Sequence, residues 1–389
     1  MSYIKPYIDN PSNAYFAVTS DNVSTLLTNH ADGGSKTSWN KTEYQAYYSA
    51  LQDAITKPVA GYYVLKNVNS GKYLTYNATA TANGEKNTAA AIIKLGVSGS
   101  GYTLEMQGGY LKVPNYNEAL TIQADPSVFY ATIANNTPGQ VTLGNTSGTH
   151  TYLNYSGGAV KGYQPTTNTG WWILEDAPTS INIPLNAAAD NTSTAHTYAT
   201  LCVPFNITDL TGYDSKEVKA YKPTISGSYI MPGDGATTIA AGTPVLLIGA
   251  EGATSVTATI GTDYASSPVA PSASDVLTGV FKGASIDCTA ATGTNYVLGK
   301  DKDNGNQIGF YHVNNAAFAL GANRAYLVPG SISEAKGFVL MFDEDEETGI
   351  QEVNGSEFIV NGPIYNIAGQ RMSKMQKSIN IINGKKVLK

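Results

Sequence analysis

The sequence predicts a multi-domain protein built mainly from β-structure, and three observations support this fold class. The chain has 389 residues, which is too long for one hydrophobic core. It contains 26 Tyr and 39 Gly residues beside many Thr and Asn, and these types suit pleated strands and turns. From Gly61 onwards, short alternating apolar and polar runs replace the helical spacing of the first segment. We therefore expect a helical N-terminal segment followed by several β-domains.

The composition also limits the classes of partner. Charged residues make up 14% of the chain, against roughly 25% in ordinary soluble proteins, and the net charge is -6. Nucleic acid is not expected as a partner, because it requires a basic face. No run of 18 apolar residues exists, so no membrane span is expected. The first residues lack the apolar core of a signal peptide, so an exported protein would have its signal outside this sequence.

Residues 1–57 are predicted to form a helical hairpin and linker. The first helix begins near Ser20, after which apolar residues follow at helical spacing. In the second helix, Thr42 and Gln45 have the spacing of a capping box, and Pro58 ends the helix. One apolar stripe of this helix comprises Tyr44, Tyr48, Leu51 and Ile55. Because each helix has a single stripe, the hairpin must pack against a neighbouring domain.

Residues 58–178 contain three internal repeats. In each repeat a Leu is followed by a Tyr-Leu pair, and these positions are Leu65 with Tyr73, Leu104 with Tyr110, and Leu143 with Tyr152. The three leucines are spaced 39 residues apart. A unit of this length, with about four short strands, cannot bury its apolar face alone. The spacing therefore predicts a β-trefoil, in which three units close around a pseudo-threefold axis.

The opening of the first repeat, GYYVLKNVNSGKYLTYN, resembles the β-trefoils of the ricin-type lectin family. The resemblance extends from about Lys57 to Ala177. The family's Gln-x-Trp signature is absent, since Thr169 and Gly170 precede Trp171, and its short Asp-centred sugar motifs are not visible. The resemblance implies the trefoil fold and a glycan-binding class of function, without the family's own binding residues.

Residues 179–343 are predicted to form a β-sandwich with a fainter internal repeat. The segments IAAGTPVLLIG and LGANRAYLVPG align, so that Ala241 matches Ala322 and Leu246 matches Leu327. Many short strands with Gly and Pro turns are typical of a sandwich. Together with TLCVPF and GFYHVN, these segments resemble a module common in surface proteins of gut Bacteroidota. That resemblance implies a cell-surface protein.

Residues 344–389 are predicted to form an acidic linker and a small β-unit. The five acids of Asp343–Glu347 repel one another and favour a solvated linker. The pairs Ala368-Gly369 and Asn383-Gly384 are interpreted as hairpin turns. The stretches IYNIAGQRM and SINIINGKKVLK resemble the C-terminal sorting domains of cargo of the type IX secretion system in Bacteroidota. That resemblance implies export and contact with the secretion machinery.

The sequence offers no convincing catalytic or metal site. It has no Gly-x-Ser-x-Gly, His-Glu-x-x-His or phosphate-binding Gly-rich motif. The two cysteines, Cys202 and Cys288, are expected as free buried thiols, with one disulfide as the alternative. A dyad of either thiol with His312 is conceivable, but nothing marks the thiols as activated. The remaining histidines are far apart in the sequence: His30, His150 and His196.

The segment DKDNGNQIGFYH invites comparison with a calcium-binding loop. Asp301, Asp303 and Gly305 imitate its start, but the EF-hand loop needs Gly at the sixth position and Glu at the twelfth. Here Gly305 is the fifth residue and His312 the twelfth. A hairpin turn is the favoured interpretation, so no metal and no cofactor are expected.

Aromatic side chains are the leading candidates for ligand contact. Tyr76 and Tyr155 occupy matching repeat positions, where the second repeat has Val113. A Tyr that the core does not require would face outward and stack on a sugar, whereas cross-strand packing is the favoured interpretation for both positions. Trp171 and Trp172 are adjacent strand residues, so one of them must face away from the other. The candidate ligand-binding residues are Tyr76, Tyr155 and Trp171.

These observations favour a secreted or surface-attached, non-catalytic protein whose trefoil binds a glycan or a host or matrix protein. The alternative is the accessory C-terminal region of a larger secreted glycoside hydrolase or peptidase, with its catalytic domain upstream. A structural spacer is a third interpretation. The expected location is extracellular or the outer cell surface.

Overall fold

A computed structural model gives the architecture. It describes residues 5–29, 40–145, 148–187, 196–272, 275–289, 295–301, 307–313, 317–329, 337–342, 351–352, 364–366, 370–372, 379–382 and 385–388. The chain divides into two compact units, Met1–Leu340 and Met341–Lys389. The predicted fold class is confirmed, because the described part of the chain is mainly β-structure in several sheets with few helices.

The first segment contains the expected helices. They are α1 (Lys5–Asp9), α2 (Ser20–Asn29) and α3 (Lys41–Ala54). The predicted capping box at Thr42 and Gln45 is wrong, because Asn40 is the N-cap of α3. The Asn40 side-chain oxygen accepts from the Glu43 amide at 2.9 Å, and Glu43 Oε2 accepts from the Asn40 amide at 3.2 Å. The buried face of α3 contains Tyr47 and Leu51. His30 lies outside the described residues.

The helices pack against the trefoil, as expected for helices that each have one apolar face. Their apolar cluster, which includes Tyr7, Leu26 and Leu51, is in contact with Ile133 of the trefoil. Phe16, between α1 and α2, packs into the trefoil core and makes an edge-to-face contact with Tyr102 at 6.0 Å. Its φ of 62° is unfavourable for a bulky residue. Burial of the ring therefore compensates a strained backbone.

Residues 61–176 form the trefoil. In its described part the strands are β1 (Gly61–Asn67), β2 (Tyr73–Asn77), β3 (Thr79–Gly84), β4 (Ile93–Ser98), β5 (Gly101–Met106), β6 (Gly109–Leu111), β7 (Ile122–Gln123), β8 (Val128–Ile133), β9 (Val141–Gly144), β10 (Tyr152–Ser156), β11 (Ala159–Tyr163) and β12 (Trp172–Asp176). Strands β1, β4, β5, β8, β9 and β12 pair in that order, and β12 returns to β1. The closed ring leaves these strands without an open edge.

Three hairpins complete the threefold pattern: β2 with β3, β6 with β7, and β10 with β11. The leucines that revealed the repeat, Leu65, Leu104 and Leu143, lie in the barrel strands β1, β5 and β9. All three are buried in one apolar cluster. The leucines of the Tyr-Leu pairs are buried in the same cluster, and they are Leu74, Leu111 and Leu153. The 39-residue spacing is therefore the spacing of equivalent core positions.

The next domain follows the trefoil directly. Its described strands are β13 (Ser180–Pro184), β14 (Asn186–Ala187), β15 (Thr197–Leu201), β16 (Phe205–Gly212), β17 (Val218–Tyr221), β18 (Thr224–Ser226), β19 (Tyr229–Met231), β20 (Gly235–Ala236), β21 (Val245–Gly249), β22 (Ser255–Tyr264), β23 (Leu277–Val280), β24 (Ala284–Ile286), β25 (Val297–Asp301), β26 (Gln307–Tyr311), β27 (Phe318–Leu320), β28 (Arg324–Leu327) and β29 (Gly337–Leu340). The aligned Leu246 and Leu327 are both buried strand residues, in β21 and β28.

Two sheets of this domain form the sandwich. One has the order β13-β22-β16 and the other β14-β15-β21-β17-β20. Both contribute to one apolar core, which includes Ile183, Leu210 and Val256 from the first sheet and Leu201, Val218 and Leu247 from the second. A further sheet has the order β18-β19-β29-β26-β25, and two strand pairs, β23 with β28 and β24 with β27, complete the described part of the domain.

The sandwich packs on the first repeat of the trefoil. Val64 and Ile92 of the trefoil belong to the same apolar cluster as the sandwich core. Beside it, the amides of Gln107 and Asn323 form a reciprocal pair: Gln107 Nε2 donates to Asn323 Oδ1 at 2.9 Å, and Asn323 Nδ2 donates to Gln107 Oε1 at 2.8 Å. Both residues are buried. Each amide satisfies hydrogen-bonding groups of the other. Buried without a partner, these groups would lower the stability of the fold.

The C-terminal unit is a small sheet. Its described strands are β30 (Gln351–Glu352), β31 (Ile364–Asn366), β32 (Arg371–Met372), β33 (Ile379–Ile382) and β34 (Lys385–Leu388), and they pair in the order β30-β34-β33-β31-β32. Strands β33 and β34 are antiparallel, with Ile379 opposite Leu388. The predicted turns at Ala368-Gly369 and Asn383-Gly384, and the acidic run Asp343–Glu347, lie outside the described residues. No helix in the described ranges is long and apolar enough to cross a membrane.

Candidate functional site

The three aromatic residues singled out from the sequence lie in different environments. Tyr76 is 7% exposed and lies opposite Ala80 in its hairpin. Tyr155 lies opposite Val160 and is half-buried against the trefoil core. Trp171 is half-buried, and its Nε1 donates to the Pro165 carbonyl at 2.9 Å. Tyr76 and Tyr155 therefore share the inward, cross-strand orientation that the threefold repeat imposes on both.

The cysteines are free and buried, as expected. The Cys202 thiol donates to the Gly242 carbonyl at 3.3 Å, and burial raises its pKa to about 12. Burial and the neighbouring Asp287 raise the pKa of Cys288. His312 Nδ1 lies 3.1 Å from the Cys288 backbone oxygen. Both thiols are thus held in the protonated form, which is the less nucleophilic one.

The described side chains form no metal-binding group. In the part of the chain that the structure describes, no group of three or more His, Cys, Asp or Glu is placed to hold a metal ion. Asp303 and Gly305 of the calcium-like segment lie outside that part.

The exposed Tyr116 and Tyr163 and the half-buried His150 form a group of rings on the trefoil, and we call it the aromatic cluster. The Tyr116 and Tyr163 centroids are 5.6 Å apart, with their planes inclined by 31°. The His150 ring lies edge-on to both, at 4.7 Å from Tyr116 and 5.8 Å from Tyr163. Tyr116 is 60% exposed and Tyr163 is 41% exposed. A contiguous exposed aromatic surface is typical of a binding site.

Tyr116 reaches the cluster because the loop between β6 and β7 lies along β11. The Asn117 amide donates to the Gly162 carbonyl at 2.7 Å, and the Gly162 amide donates to the Glu118 carbonyl at 2.9 Å. Farther along the loop, the buried Leu120 donates its amide to the Val160 carbonyl at 2.9 Å. The loop therefore extends the hairpin of the third repeat and places Tyr116 beside Tyr163.

Two backbone features permit this close approach. Gly162 is buried under the loop, and a Cβ at this position would collide with the backbone carbonyl oxygen of Asn115. Asn117 adopts a φ of 60°, which Asn tolerates better than most residues. Glycine at one position and Asn at the other thus fit the path of the loop.

Polar groups surround the rings. Asn115 Nδ2 donates to Glu118 Oε2 at 3.0 Å, and both residues are exposed. Thr149 Oγ1 lies 2.8 Å from His150 Nδ1, so the Nε2 side of the imidazole is the one turned away from this contact. Rings can stack against the C–H face of a sugar, while amide, carboxylate and imidazole groups exchange hydrogen bonds with hydroxyls. The cluster therefore presents ring faces beside groups that can donate and accept hydrogen bonds.

Other surfaces of the trefoil are covered within the same compact unit. On the first repeat, Tyr62 Oη donates to the Thr262 carbonyl at 3.2 Å, and Asn77 Oδ1 accepts from the Ala322 amide at 2.8 Å. The N-terminal segment covers another part, where the Gly139 amide donates to the Phe16 carbonyl at 3.1 Å. The aromatic cluster lies between the second and third repeats and is exposed.

The sequence analysis did not single out any of the three residues of the cluster as a candidate for ligand contact. Tyr116 lies between two Asn residues in a turn-rich stretch, and Tyr163 precedes Gln164 and Pro165. A large ring in turn-rich sequence is a signal of exposure that could have identified each tyrosine alone. Their proximity arises from a contact between a loop of the second repeat and a strand of the third, which periodicity does not reveal.

Comparisons with known proteins give a limited likeness. No family model matches the sequence, and no curated protein matches it. A ricin B-like lectin of Macrolepiota procera, solved in complex with lactose, is 14% identical with a TM-score of 0.29, and the match covers 31% of this chain and 98% of the lectin. SeviL bound to the asialo-GM1 saccharide is 21% identical with a TM-score of 0.27, covering 31% and 100%. A Culex salivary protein of the Cysteine and Tryptophan-Rich family is 16% identical with a TM-score of 0.24, covering 30% and 94%. The trefoil assignment rests on the strand pairing described above.

Proposed function

We propose that this chain is a non-catalytic binding protein that recognises glycans through the aromatic cluster of its trefoil. The observation that carries the proposal is the contact of three aromatic rings on an exposed surface, with Tyr116 60% exposed. The three rings contact one another where both tyrosines stay accessible to a ligand, and this grouping, which a single exposed ring does not have, supports a binding role.

A glycan fits the surroundings of the rings better than an apolar ligand does. Asn115 and Glu118 are exposed beside Tyr116 and can exchange hydrogen bonds with hydroxyl groups. The low content of charged residues in the chain, 14%, matches a neutral ligand with many hydroxyls. A peptide ligand could pack on the same rings without offering sugar hydroxyls. The test must therefore distinguish binding of a peptide from binding of a glycan.

The sequence candidates take secondary roles in this proposal. Tyr155 and Trp171 are half-buried and stay candidates for additional ligand contact. Tyr76 is the most deeply buried of the three and supports the first hairpin. Residues 58–178 form the proposed binding domain, with residues 179–343 as the sandwich that carries it.

We place the protein outside the cell or on its outer surface. Support comes from the low content of charged residues, 14%, and from the resemblance of residues 344–389 to sorting domains. Immunodetection of the full chain in culture supernatant and washed cells tests this location, and retention in the cytoplasmic fraction would contradict it.

Binding of the labelled full chain to a broad glycan array tests the function. We expect selective binding that Tyr116→Ala and Tyr163→Ala each reduce at least about tenfold, the loss of roughly 1.4 kcal/mol of binding free energy. Tyr213→Ala is the matched control, because Tyr213 is 61% exposed in the sandwich domain. A silent array, or equal losses in all three variants, would refute the proposed site. Competition by tyrosine-rich peptides but by no saccharide would assign the cluster to a peptide ligand.

A further inference from the structure

We infer that the trefoil has one glycan-binding site, so that each chain binds a single glycan although the fold has three repeats. This inference rests on the proposed function and specifies the number of sites in the chain. It follows from a comparison of the three residues of the aromatic cluster with the residues at equivalent positions in the other repeats.

The loop that carries Tyr116 occurs in the second repeat only. It comprises the ten residues 112–121, between β6 and β7. In the first repeat Ala78 alone separates β2 from β3, and in the third repeat Gly157 and Gly158 separate β10 from β11. Turns this short join the two strands of one hairpin and do not reach across a neighbouring repeat. Tyr116 therefore has no counterpart in the other two repeats.

The position of Tyr163 has no aromatic residue in the other repeats. Tyr163 lies opposite Tyr152, which is the tyrosine of the Tyr-Leu pair in the third repeat. At the equivalent positions, opposite the tyrosines of the other two Tyr-Leu pairs, lie Gly84 and Gln123. Neither residue has a ring, so neither can form the ring contact that Tyr163 makes with Tyr116.

The position of His150 is glycine in both other repeats. His150 precedes the tyrosine of its Tyr-Leu pair by two residues, and the residues two places before the matching tyrosines are Gly71 and Gly108. At Gly108 there is no room for a larger residue. A Cβ there would lie 2.6 Å from the Ser266 carbonyl oxygen and would collide with the Phe281 ring. The sandwich domain therefore covers this position.

The turns of the other two hairpins also lack the means to form a ring site. In the first repeat the sandwich covers the turn, because the Ala322 amide donates to Asn77 Oδ1 at 2.8 Å and a Cβ at Gly283 would lie 3.1 Å from the Ala78 amide nitrogen. In the third repeat the turn is open, since a Cβ at Gly157 or Gly158 would have no atom within 4 Å. That open turn consists of glycines and offers no side chain to a ligand.

A single site determines how the chain can engage a glycan-bearing surface. One chain with one site cannot join two glycans, so it does not cross-link them by itself. Avidity then arises only when several copies of the chain are held together, for example on one surface, because each further contact becomes intramolecular. The strength of attachment should therefore depend on the density of the copies.

Native mass spectrometry of the full chain counts the saccharides that it binds. The probes are lactose, cellobiose, mannobiose and diacetylchitobiose, together with the free form of each glycan that the array selects. For every probe that binds, we expect saturation at one saccharide per chain. At a probe concentration equal to the Kd of the unaltered chain, Tyr116→Ala should lower the occupancy from about one half to below about one tenth, which corresponds to a tenfold loss of affinity. The control Tyr213→Ala should keep the occupancy of the unaltered chain.

Two results would overturn the inference and leave the proposed function intact. One is saturation at two or three saccharides per chain. The other is a Tyr116→Ala variant that still binds half or two thirds of the saturating amount, because sites in other repeats would then act independently. A silent array together with the absence of any bound saccharide refutes the proposed function itself, and the inference with it.

Thermal unfolding verifies that the Tyr116→Ala variant is folded. Truncation of a residue that is 60% exposed should cost little stability. Tyr163→Ala is a second variant of the same site, and we expect it to lower the occupancy in the same way. Loss of binding in one variant with full binding in the other would contradict a single site that both rings form.

Discussion

Replacing Gly162 by alanine should detach the loop that carries Tyr116 without altering any ring of the aromatic cluster. The added Cβ would collide with the Asn115 carbonyl oxygen, and it would lie 2.7 Å from the Asn115 carbonyl carbon and 3.0 Å from the His150 carbonyl oxygen. All three are backbone atoms, so no flexible side chain can move to make room. The loop itself must therefore move away from β11.

The magnitude follows from the contacts that the loop would lose. Two hydrogen bonds join Gly162 to Asn117 and Glu118, and each contributes about 0.5–1.5 kcal/mol. Partial exposure of the buried Leu120 adds about 1–2 kcal/mol. The lower entropy of the unfolded alanine chain offsets about 0.4–1 kcal/mol. We expect Gly162→Ala to lower the free energy of unfolding by about 1–5 kcal/mol.

Urea unfolding of the full chain measures the stability, and the glycan array measures the binding. Gly162→Ala should lose binding as Tyr116→Ala does, because Tyr116 no longer lies beside Tyr163. Gly321→Ala is the control, since a Cβ at Gly321 has no atom within 4 Å. Unchanged stability and unchanged binding in Gly162→Ala would refute the account of how the loop is positioned.

Three further predictions concern the scaffold. Phe16→Ala should lower the free energy of unfolding by about 3–5 kcal/mol, because it leaves a cavity in the trefoil core. The control is Val59→Ala, at a position 70% exposed, which should change the free energy of unfolding by less than about 0.5 kcal/mol. Gln107→Ala should lower the free energy of unfolding by about 1–3 kcal/mol, because it removes the partner of the buried Asn323 amide. In a double-mutant cycle, the double variant with Asn323→Ala should lose less stability than the sum of the two single variants. Additive losses would contradict the pairing. The pKa of Cys202 rises from 9.0 to about 12 on folding, so above pH 9 only the unfolded thiol ionises and stability falls as the pH rises towards 12. Cys202→Ala should make the decline between pH 8 and pH 10.5 shallower by about 2 kcal/mol, and an identical decline in both proteins would contradict the raised pKa.

The sequence predicted the parts of the fold that depend on periodicity. The spacing of Leu65, Leu104 and Leu143 identified three equivalent strands, because a pseudo-threefold barrel requires an apolar residue at the same place in each repeat. The match of Leu246 with Leu327 likewise identified two buried strands. Both signals are patterns along the chain that repeat at a fixed interval, so they can be recognised from a single sequence.

Features that depend on nonlocal contact were not predictable in this way. The orientation of Tyr76 and Tyr155 depends on which cross-strand neighbours they meet, Ala80 and Val160, and not on their identity as tyrosines. The aromatic cluster depends on the loop of one repeat lying on a strand of the next. The sequence alone does not show why residue 162 is glycine, because glycine occurs in many kinds of position. The reason is the Asn115 carbonyl oxygen, which lies where a Cβ at residue 162 would be.

Hydrogen exchange of the full chain, with and without the glycan that the array selects, tests the central claim most directly, because it maps the ligand without altering any residue. We predict that the glycan slows amide exchange in residues 115–119 and 159–164, where the loop lies against β11. Protection confined to the sandwich domain, with these two segments unchanged, would contradict a glycan site at the aromatic cluster.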